Sequence, residues 1–315
     1  FPKTTELMSA VDFCIARARQ YGKPIALNLS FGNNYGSHSG NSLIETYLDD
    51  MANYWKTSIV IGSGNEGSAV HTAGKLTLNE EQEVEIAVSA YEASLNLQIW
   101  KNYVDEIGVS VIHPGGTAIG PLQRIQGTQR FQLGETNLLV YYGEPSPYNP
   151  YQEIYLDFIP VGSYIDDGIW KIRLTPIRIT DGAFDMWLPA GNVLNSGTGF
   201  LNPVEETTLT IPSTATKVIT VGAYDARFDQ AAAFSGRGYT RATNQVKPDL
   251  VAPGVEIMSC APGGGYQVRT GTSMATPFVT GSAALLMQWG ITDGNDAYLY
   301  GEKMKAYLIR GARRL

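Results

Sequence analysis

The sequence predicts an α/β protein built on a parallel sheet and interrupted by an inserted all-β sandwich of jelly-roll type. Three observations predict it. Apolar strand-like runs alternate with helical patterns at both ends of the chain, up to about residue 70 and again from about 204. Between them, from about Val70 to Pro203, the pattern switches to period-two alternation punctuated by turn clusters. A small-residue apolar run from Met274 to Trp289 is too long for a strand and predicts a buried helix. The expected domains are 1–70 and 204–315, two parts of one α/β unit, with 71–203 as the insert.

The first element reads as a helix. Leu7, Met8, Val11, Ile15 and Ala18 recur at helical spacing, Thr4 or Thr5 can cap it, and Gly22 and Pro24 close it. Residues 25–30 (IALNLS) form an apolar strand that ends at Gly32, a glycine-rich loop follows, and a second helix is expected from about Ser42 to Trp55. Ser58–Ile61 reads as the next strand, ending in the turn Gly62-Ser63-Gly64-Asn65. Strand, helix, strand is a parallel βαβ unit, and in such sheets chemistry collects where the C-terminal ends of the strands open into loops. Ser30-Phe31-Gly32 and Gly62-Ser63-Gly64-Asn65 lie at those ends and are expected to be neighbours.

In the insert, EQEVEIAVSAY, LNLQIWKNY, EIGVSVIHP, QRFQLG, TNLLVYYGE, QEIYLDFIP and GIWKIRLTPIRI each alternate apolar with polar. His113-Pro114-Gly115-Gly116, Asp167-Gly168 and Asp181-Gly182 supply the turns between them. Short strands at this spacing predict the sandwich. The α/β texture then resumes with a buried strand at Lys217–Gly222 and the helix near the C-terminal end. Pro277 falls near that helix's first turn, where a missing N–H costs least.

The 315 residues carry a formal charge of −7 and no Lys/Arg run, which argues against nucleic acid and anionic membrane as partners. No apolar run approaches the ~20 residues that cross a bilayer. Cys14 and Cys260 are too isolated for a disulfide framework or zinc spacing, so both are expected as buried free thiols. No metal or phosphate-binding motif is visible, so neither a metal nor a cofactor is expected. The chain opens at Phe1-Pro2 without a secretory leader pattern and enters a helix almost at once, which suggests a cut inside a larger protein.

Acyl transfer by serine requires a nucleophile, a base, a group that orients the base, and donors for the oxyanion. Ser273, behind Gly271 and Thr272, stands at a helix N-terminus where unpaired N–H groups favour negative charge. Its own N–H can serve as one oxyanion donor and the side-chain NH₂ of Asn65 as another. Taken singly, Ser273 also reads as a helix cap and Asn65 as a turn residue. The serine is not in a G-x-S-x-G elbow, which argues against an α/β-hydrolase. His38 (GSHSG) and His71 (AVHTAG) lie in glycine-rich loops and are weighed as bases, each disfavoured because a base needs an orienting carboxylate. His113 is expected in a surface turn, and Asp166, Asp167 and Asp181 read as turn residues.

Together, GTSMATP, GSGNEG and NLSFG resemble the subtilisin-like serine protease family, in the same order. The resemblance extends over IPSTATKVITVGAYD, AAFSGRG and KPDLVAPGVEI, about residues 4–70 and 204–290. It implies a three-layer α/β/α fold and a serine endopeptidase with Ser273 as nucleophile and Asn65 in the oxyanion hole. It also implies a substrate strand at Ser30, Phe31 and Gly32 and a pocket wall at Gly62, Ser63 and Gly64. Gly271 and Thr272 lie beside the bound substrate, and Thr210 to Ser213 near the pocket floor. NLSFGNNYGSHSG with the insert is similar to the clostridial germination subtilases of Csp type. The family's Asp stands in DTG or DSG and its His in HGTH, and neither string occurs here. The resemblance therefore implies an upstream segment carrying Asp and His as a partner, besides a protein or peptide substrate and a propeptide. It implies an extracellular, cell-associated or spore-associated location. The rival reading is an inactive pseudoprotease or binding protein of the same fold.

Overall fold

The structure, a computed structural model, describes residues 3–144 and 146–314, the side chain of Lys75 excepted. The chain begins with α1 (Thr4–Gln20), β1 (Ile25–Leu29), α2 (Leu43–Ala52) and β2 (Thr57–Gly62). The next strands are β3 (Thr72–Thr77), β4 (Gln82–Val88), β5 (Leu95–Asn102), β6 (Glu106–Ile112), β7 (Ala118–Ile119) and β8 (Thr128–Leu133). After them come β9 (Thr136–Tyr142), β10 (Tyr151–Pro160), β11 (Gly168–Arg178), β12 (Ala183–Trp187) and β13 (Gly199–Phe200). The last part holds β14 (Ile219–Asp225), β15 (Gln230–Ala231), β16 (Gly238–Tyr239), β17 (Val246–Lys247), β18 (Leu250–Pro253), β19 (Ile257–Cys260) and β20 (Tyr266–Arg269). It closes with α3 (Thr272–Met287), a π-helical turn at Gln288–Thr292 and α4 (Gly301–Gly311).

Two compact units result. One gathers the residues up to Asn33, His38–Ser68 and those from Thr208 onward; the other holds Asn34–Ser37 and Ala69–Thr207. In the first, β1, β2, β14 and β18 run parallel in that order, with β15 antiparallel to β14. Alternation along β2 decides the layers. Ile59 and Ile61 pack with Val11 and Ile15 of α1 and Ile44 and Leu48 of α2. Val60, pointing the other way, packs with Ala275, Val279 and Ala283 of α3 and Met304 of α4. Leu29 pairs with Ile61, so β1 and β2 end level and Ser30 emerges beside Gly62.

The second unit consists of two antiparallel sheets, β3-β12-β5-β10-β9-β8 and β13-β4-β11-β6-β7. Its core draws on both: Ile154, Leu156 and Phe158 of β10 meet Trp170, Ile172 and Leu174 of β11. Each of the seven alternating segments forms a strand. The sequence did not mark β3, which Gly74 interrupts, or β12, where four consecutive residues are buried. Nor did it show that the tip of the loop after β1 packs into this unit. There Asn34 Nδ2 donates to the Leu188 carbonyl (2.9 Å), and Gln98 Nε2 donates to the Asn34 carbonyl (3.0 Å).

Several expectations need correction. Lys3, not Thr4 or Thr5, is the N-cap of α1, and its N–H donates to Glu6 Oε2 at 2.9 Å. The strand expected at Lys217–Gly222 begins at Ile219, because Asp49 takes the N–H groups of Thr216 and Lys217 (2.9 and 2.7 Å) and holds them in a turn. The long helix starts earlier than Met274, at Thr272, and is not buried all round. Phe278, Leu285 and Trp289 beyond its end are exposed, 68% in the case of Leu285. Cys260 is exposed and Cys14 half-buried, so neither is the enclosed thiol expected. Cys260 lies on an outlying two-stranded hairpin, β19–β20, whose sequence alternates without a core to face.

Candidate active site

The site is assembled at the C-terminal ends of β1 and β2 and the N-terminus of α3. Ser273 is the second residue of α3, half-buried, and its N–H is among the first-turn donors that a helix leaves unpaired. Its Oγ donates to the Ser30 carbonyl at 3.3 Å, and Ser30 Oγ donates back to the Ser273 carbonyl at 3.3 Å. Asn28 Nδ2 donates to Ser30 Oγ (2.8 Å) and so fixes that hydroxyl's direction. A backbone carbonyl cannot take a proton away. The Ser273 hydroxyl is held ready but not activated by what surrounds it.

Asn65 is oriented from one side. Thr272 donates to its Oδ1 twice, from the backbone N–H at 2.9 Å and from the hydroxyl at 3.1 Å. Two donors on the oxygen turn the Nδ2 amide group the other way, and among the described residues Nδ2 has no acceptor. Gly271, with φ +151°, leaves room there: a Cβ on it would lie 3.2 Å from Asn65 Nδ2. An exposed amide donor thus lies at the N-terminus of α3, where the Ser273 N–H is also among the unpaired first-turn donors.

The neighbouring wall is built from close approaches. Thr210 sits between the two strand ends: a Cβ on Gly32 or Gly64 would overlap its side chain, at 2.6 Å in the case of Gly64. Gly64 has φ +100°, which a side chain would resist as well. Thr210 N donates to the Ser63 carbonyl (3.0 Å), and Asn33 and Ile211 exchange backbone hydrogen bonds (3.0 and 2.8 Å). Gly62 faces Thr272 and Thr276, and Gly64 N donates to Thr272 Oγ1 at 3.3 Å. Phe31 turns aside and packs half-buried against the α1–α2 core. Ser30, Gly32, Gly62, Ser63, Gly64, Asn65, Gly271, Thr272 and Ser273 are therefore brought together.

The histidines are not. Among the described residues no imidazole is hydrogen-bonded to Ser273. His38 is buried with φ +51°, and its Nδ1 is 2.8 Å from the Leu209 carbonyl, behind the Thr210 wall. His71 is buried in the β unit. His113 opens the turn expected, its carbonyl accepting from the Gly116 N–H at 2.8 Å, but its side chain is drawn inward. Its Nδ1 accepts the Gly115 N–H (2.9 Å), its Nε2 faces Asp166 Oδ2 at 3.2 Å, and its ring stands edge-on to Trp170.

The profile of the subtilase family matches residues 188–315. A solved structure, that of the Clostridium perfringens CspB protease, is 37% identical and superposes with a TM-score of 0.92 over the whole of this chain. The chain carries a subtilase-family domain over residues 188–315. It spans 65% of the CspB protease structure and a smaller share of the curated relatives. An intracellular serine protease of Paenibacillus polymyxa is 46% identical over 77 residues, 24% of this chain and 21% of that protein. Serine protease AprX of Bacillus subtilis is 38% identical over 119 residues, 31% of this chain and 26% of that protein. The α/β unit of this chain has the subtilisin-like fold, and its GTSMATP helix is the element that carries the nucleophile candidate.

Proposed function

We propose that this chain is the nucleophile-bearing part of a serine endopeptidase that cleaves peptide bonds through an acyl-enzyme on Ser273. The observation that carries the reading is the double grip of Thr272 on Asn65 Oδ1, which leaves the amide NH₂ as a preoriented donor beside Ser273. A turn residue needs no such orientation. In the reaction, Ser273 Oγ attacks the substrate carbonyl and passes its proton to an imidazole. The oxygen of the tetrahedral intermediate is held by Asn65 Nδ2 and the Ser273 N–H, and the leaving amine takes the proton back from the imidazole.

The imidazole and its carboxylate partner come, on this reading, from an upstream segment of the protein. Two observations support it. Strand β1 pairs only with β2 among the described residues, so its other edge is open. On α3, Phe278, Gly281, Ala284 and Leu285 present an apolar face to water, an unusual arrangement for a helix that lies on a central sheet. The insert is read as a jelly roll spanning about 71–203 because its strand pairs are nested: β3 with β12, β4 with β11, β5 with β10. A protein or peptide substrate, a propeptide and an extracellular, cell-associated or spore-associated location complete the proposal.

The test is reconstitution. The isolated chain is expected to show no amidase activity, and joining the upstream segment is expected to produce it, with a fluorophosphonate labelling Ser273. Turnover by the isolated chain would overturn the division of the triad. An inactive full-length protein would favour the pseudoprotease.

A further inference from the structure

A buried lysine stands behind the Thr210 wall. Lys247 is 1% exposed, and its Nζ donates to the Ala215 carbonyl and to Thr220 Oγ1 (2.7 Å), with Asp249 Oδ2 at 3.8 Å. Thr220 Oγ1 in turn donates to the Ser213 carbonyl at 2.8 Å. Ser213 Oγ donates to the Thr210 carbonyl at 2.6 Å, and Ser213 N donates to the same oxygen at 2.8 Å. A chain of hydrogen bonds thus runs from the ammonium to the residue that fills the gap between Gly32 and Gly64.

The polarity of that chain is dictated at its origin. An ammonium has three donors and no acceptor, so the hydroxyl it bonds must accept there and is left to donate onward. Thr220 is otherwise immobilised, its N–H donating to Asp249 Oδ2 at 2.8 Å. The rest of the segment is gripped by other elements. Lys305 of α4 donates to the carbonyls of Thr216 and Val218 (3.0 and 3.1 Å) and pairs with Asp249 at 2.8 Å. From α2, Asp49 takes two backbone N–H groups, and Glu45 accepts from Thr214. Burial pushes the Lys247 ammonium down to about 8; Asp249, Asp49 and Glu45 offset the burial and Lys305 adds to it. It is still predominantly charged at neutral pH, but it is costly to hold, and packing alone would be served better by an apolar side chain.

We propose that Lys247 is a positioning residue for substrate selection: acting through Thr220 and Ser213, it fixes the Thr210 wall and so sets which side chains the pocket beside Ser273 accepts. This rests on the reading of Gly62, Ser63 and Gly64 as the wall of that pocket, with Thr210 to Ser213 near its floor. It needs no contact between Lys247 and substrate, only a wall that cannot shift.

The experiment uses the full-length protein with Thr220→Val, which is nearly isosteric and removes only the relaying hydroxyl, and Lys247→Met. A peptide library varied at the residue on the acyl side of the scissile bond reads the selectivity. Both variants are expected to raise KM for the preferred side chain about tenfold and flatten the preference, with kcat changed about twofold at most. Amide exchange, measured on the same variants, is expected to quicken at Thr210 and Ser213 and to stay unchanged at Ile59 and Ile61. If Lys247→Met does not fold, Thr220→Val alone decides. Folded variants with wild-type selectivity and wild-type exchange overturn the proposal, as does a fall in kcat with KM unmoved. If the wild-type protein has no turnover, the protease reading fails separately. Exchange at Thr210 and Ser213 then decides whether the relay holds the wall.

Discussion

The Ser273 site and the His113–Asp166 cluster each hold part of what a serine protease needs, and they differ in which valences are free. In the β unit a histidine and an aspartate lie 3.2 Å apart, the spacing of a catalytic pair. But neither imidazole nitrogen of His113 is open to a substrate: Nδ1 accepts the Gly115 N–H, and Nε2 is buried facing Asp166 Oδ2. Asp166 Oδ2 also accepts from Glu135 N and Thr136 Oγ1, both at 2.8 Å. The cluster ties together the loops after β6, β8 and β10, with Trp170 Nε1 donating to the Asp166 carbonyl at 2.9 Å. At Ser273 the opposite holds: among the described residues the amide group of Asn65 and the N–H of Ser273 have no acceptor. A free, aimed donor signals chemistry better than a short distance between the right residue types.

The largest effect that could break this contrast is at the nucleophile. In the full-length protein Ser273→Ala is expected to abolish both turnover and fluorophosphonate labelling; labelling that persists would place the nucleophile elsewhere. Next comes Asn65→Ala, for which kcat should fall about 10²–10³-fold, a range established on a subtilisin's asparagine rather than derived from this chain. KM should move little, because the donor engages fully only once the carbonyl becomes an oxyanion.

A smaller effect, on stability and not on activity, is expected for Asp166→Asn. It should cost the β unit about 0.5–1.5 kcal/mol by leaving the Glu135 N–H and the Thr136 hydroxyl poorly matched, with kcat within about twofold of wild type. The acid limb sharpens this. Burial pushes the Asp166 carboxyl up, but the hydrogen bonds from Thr136, His113 and Glu135 outweigh it and hold the carboxyl below its ordinary value. That contribution is present above the unfolded-state value of about 4 and is lost as pH falls through the lower folded value. Thermal melts between neutral pH and the strongly acid range should therefore show a steeper acid loss in wild type than in Asp166→Asn. A parallel loss in both would mean the carboxylate is not the group responsible. The smallest effects are expected for His38→Ala and His71→Ala, which should retain most activity. If either were lethal to turnover while Asn65→Ala were harmless, the roles assigned around Ser273 would be wrong.

The sequence by itself determined the parts that are local in the chain. Period-two alternation marked seven strands of the insert. The run after Ser273 could only be a helix, and GTSMATP with GSGNEG supplied the candidates for nucleophile and oxyanion donor. These are legible because strand alternation, helical length and a glycine-flanked turn each follow from the dihedral and packing preferences of consecutive residues. The tertiary structure decided what depends on residues distant in sequence. It placed Thr210 in the gap between Gly32 and Gly64, and it turned the Asn65 amide by way of Thr272, 207 residues away. It also stretched a hydrogen-bond chain from Lys247 to Ser213 and paired His113, expected in a surface turn, with Asp166. No local pattern encodes such pairings, because a buried donor's partner is set by which strands lie side by side and not by which residues follow one another. The exposed face of α3 belongs here too. Its apolar sequence predicted burial, and only the sheet order shows that the described strands cover just one side of that helix.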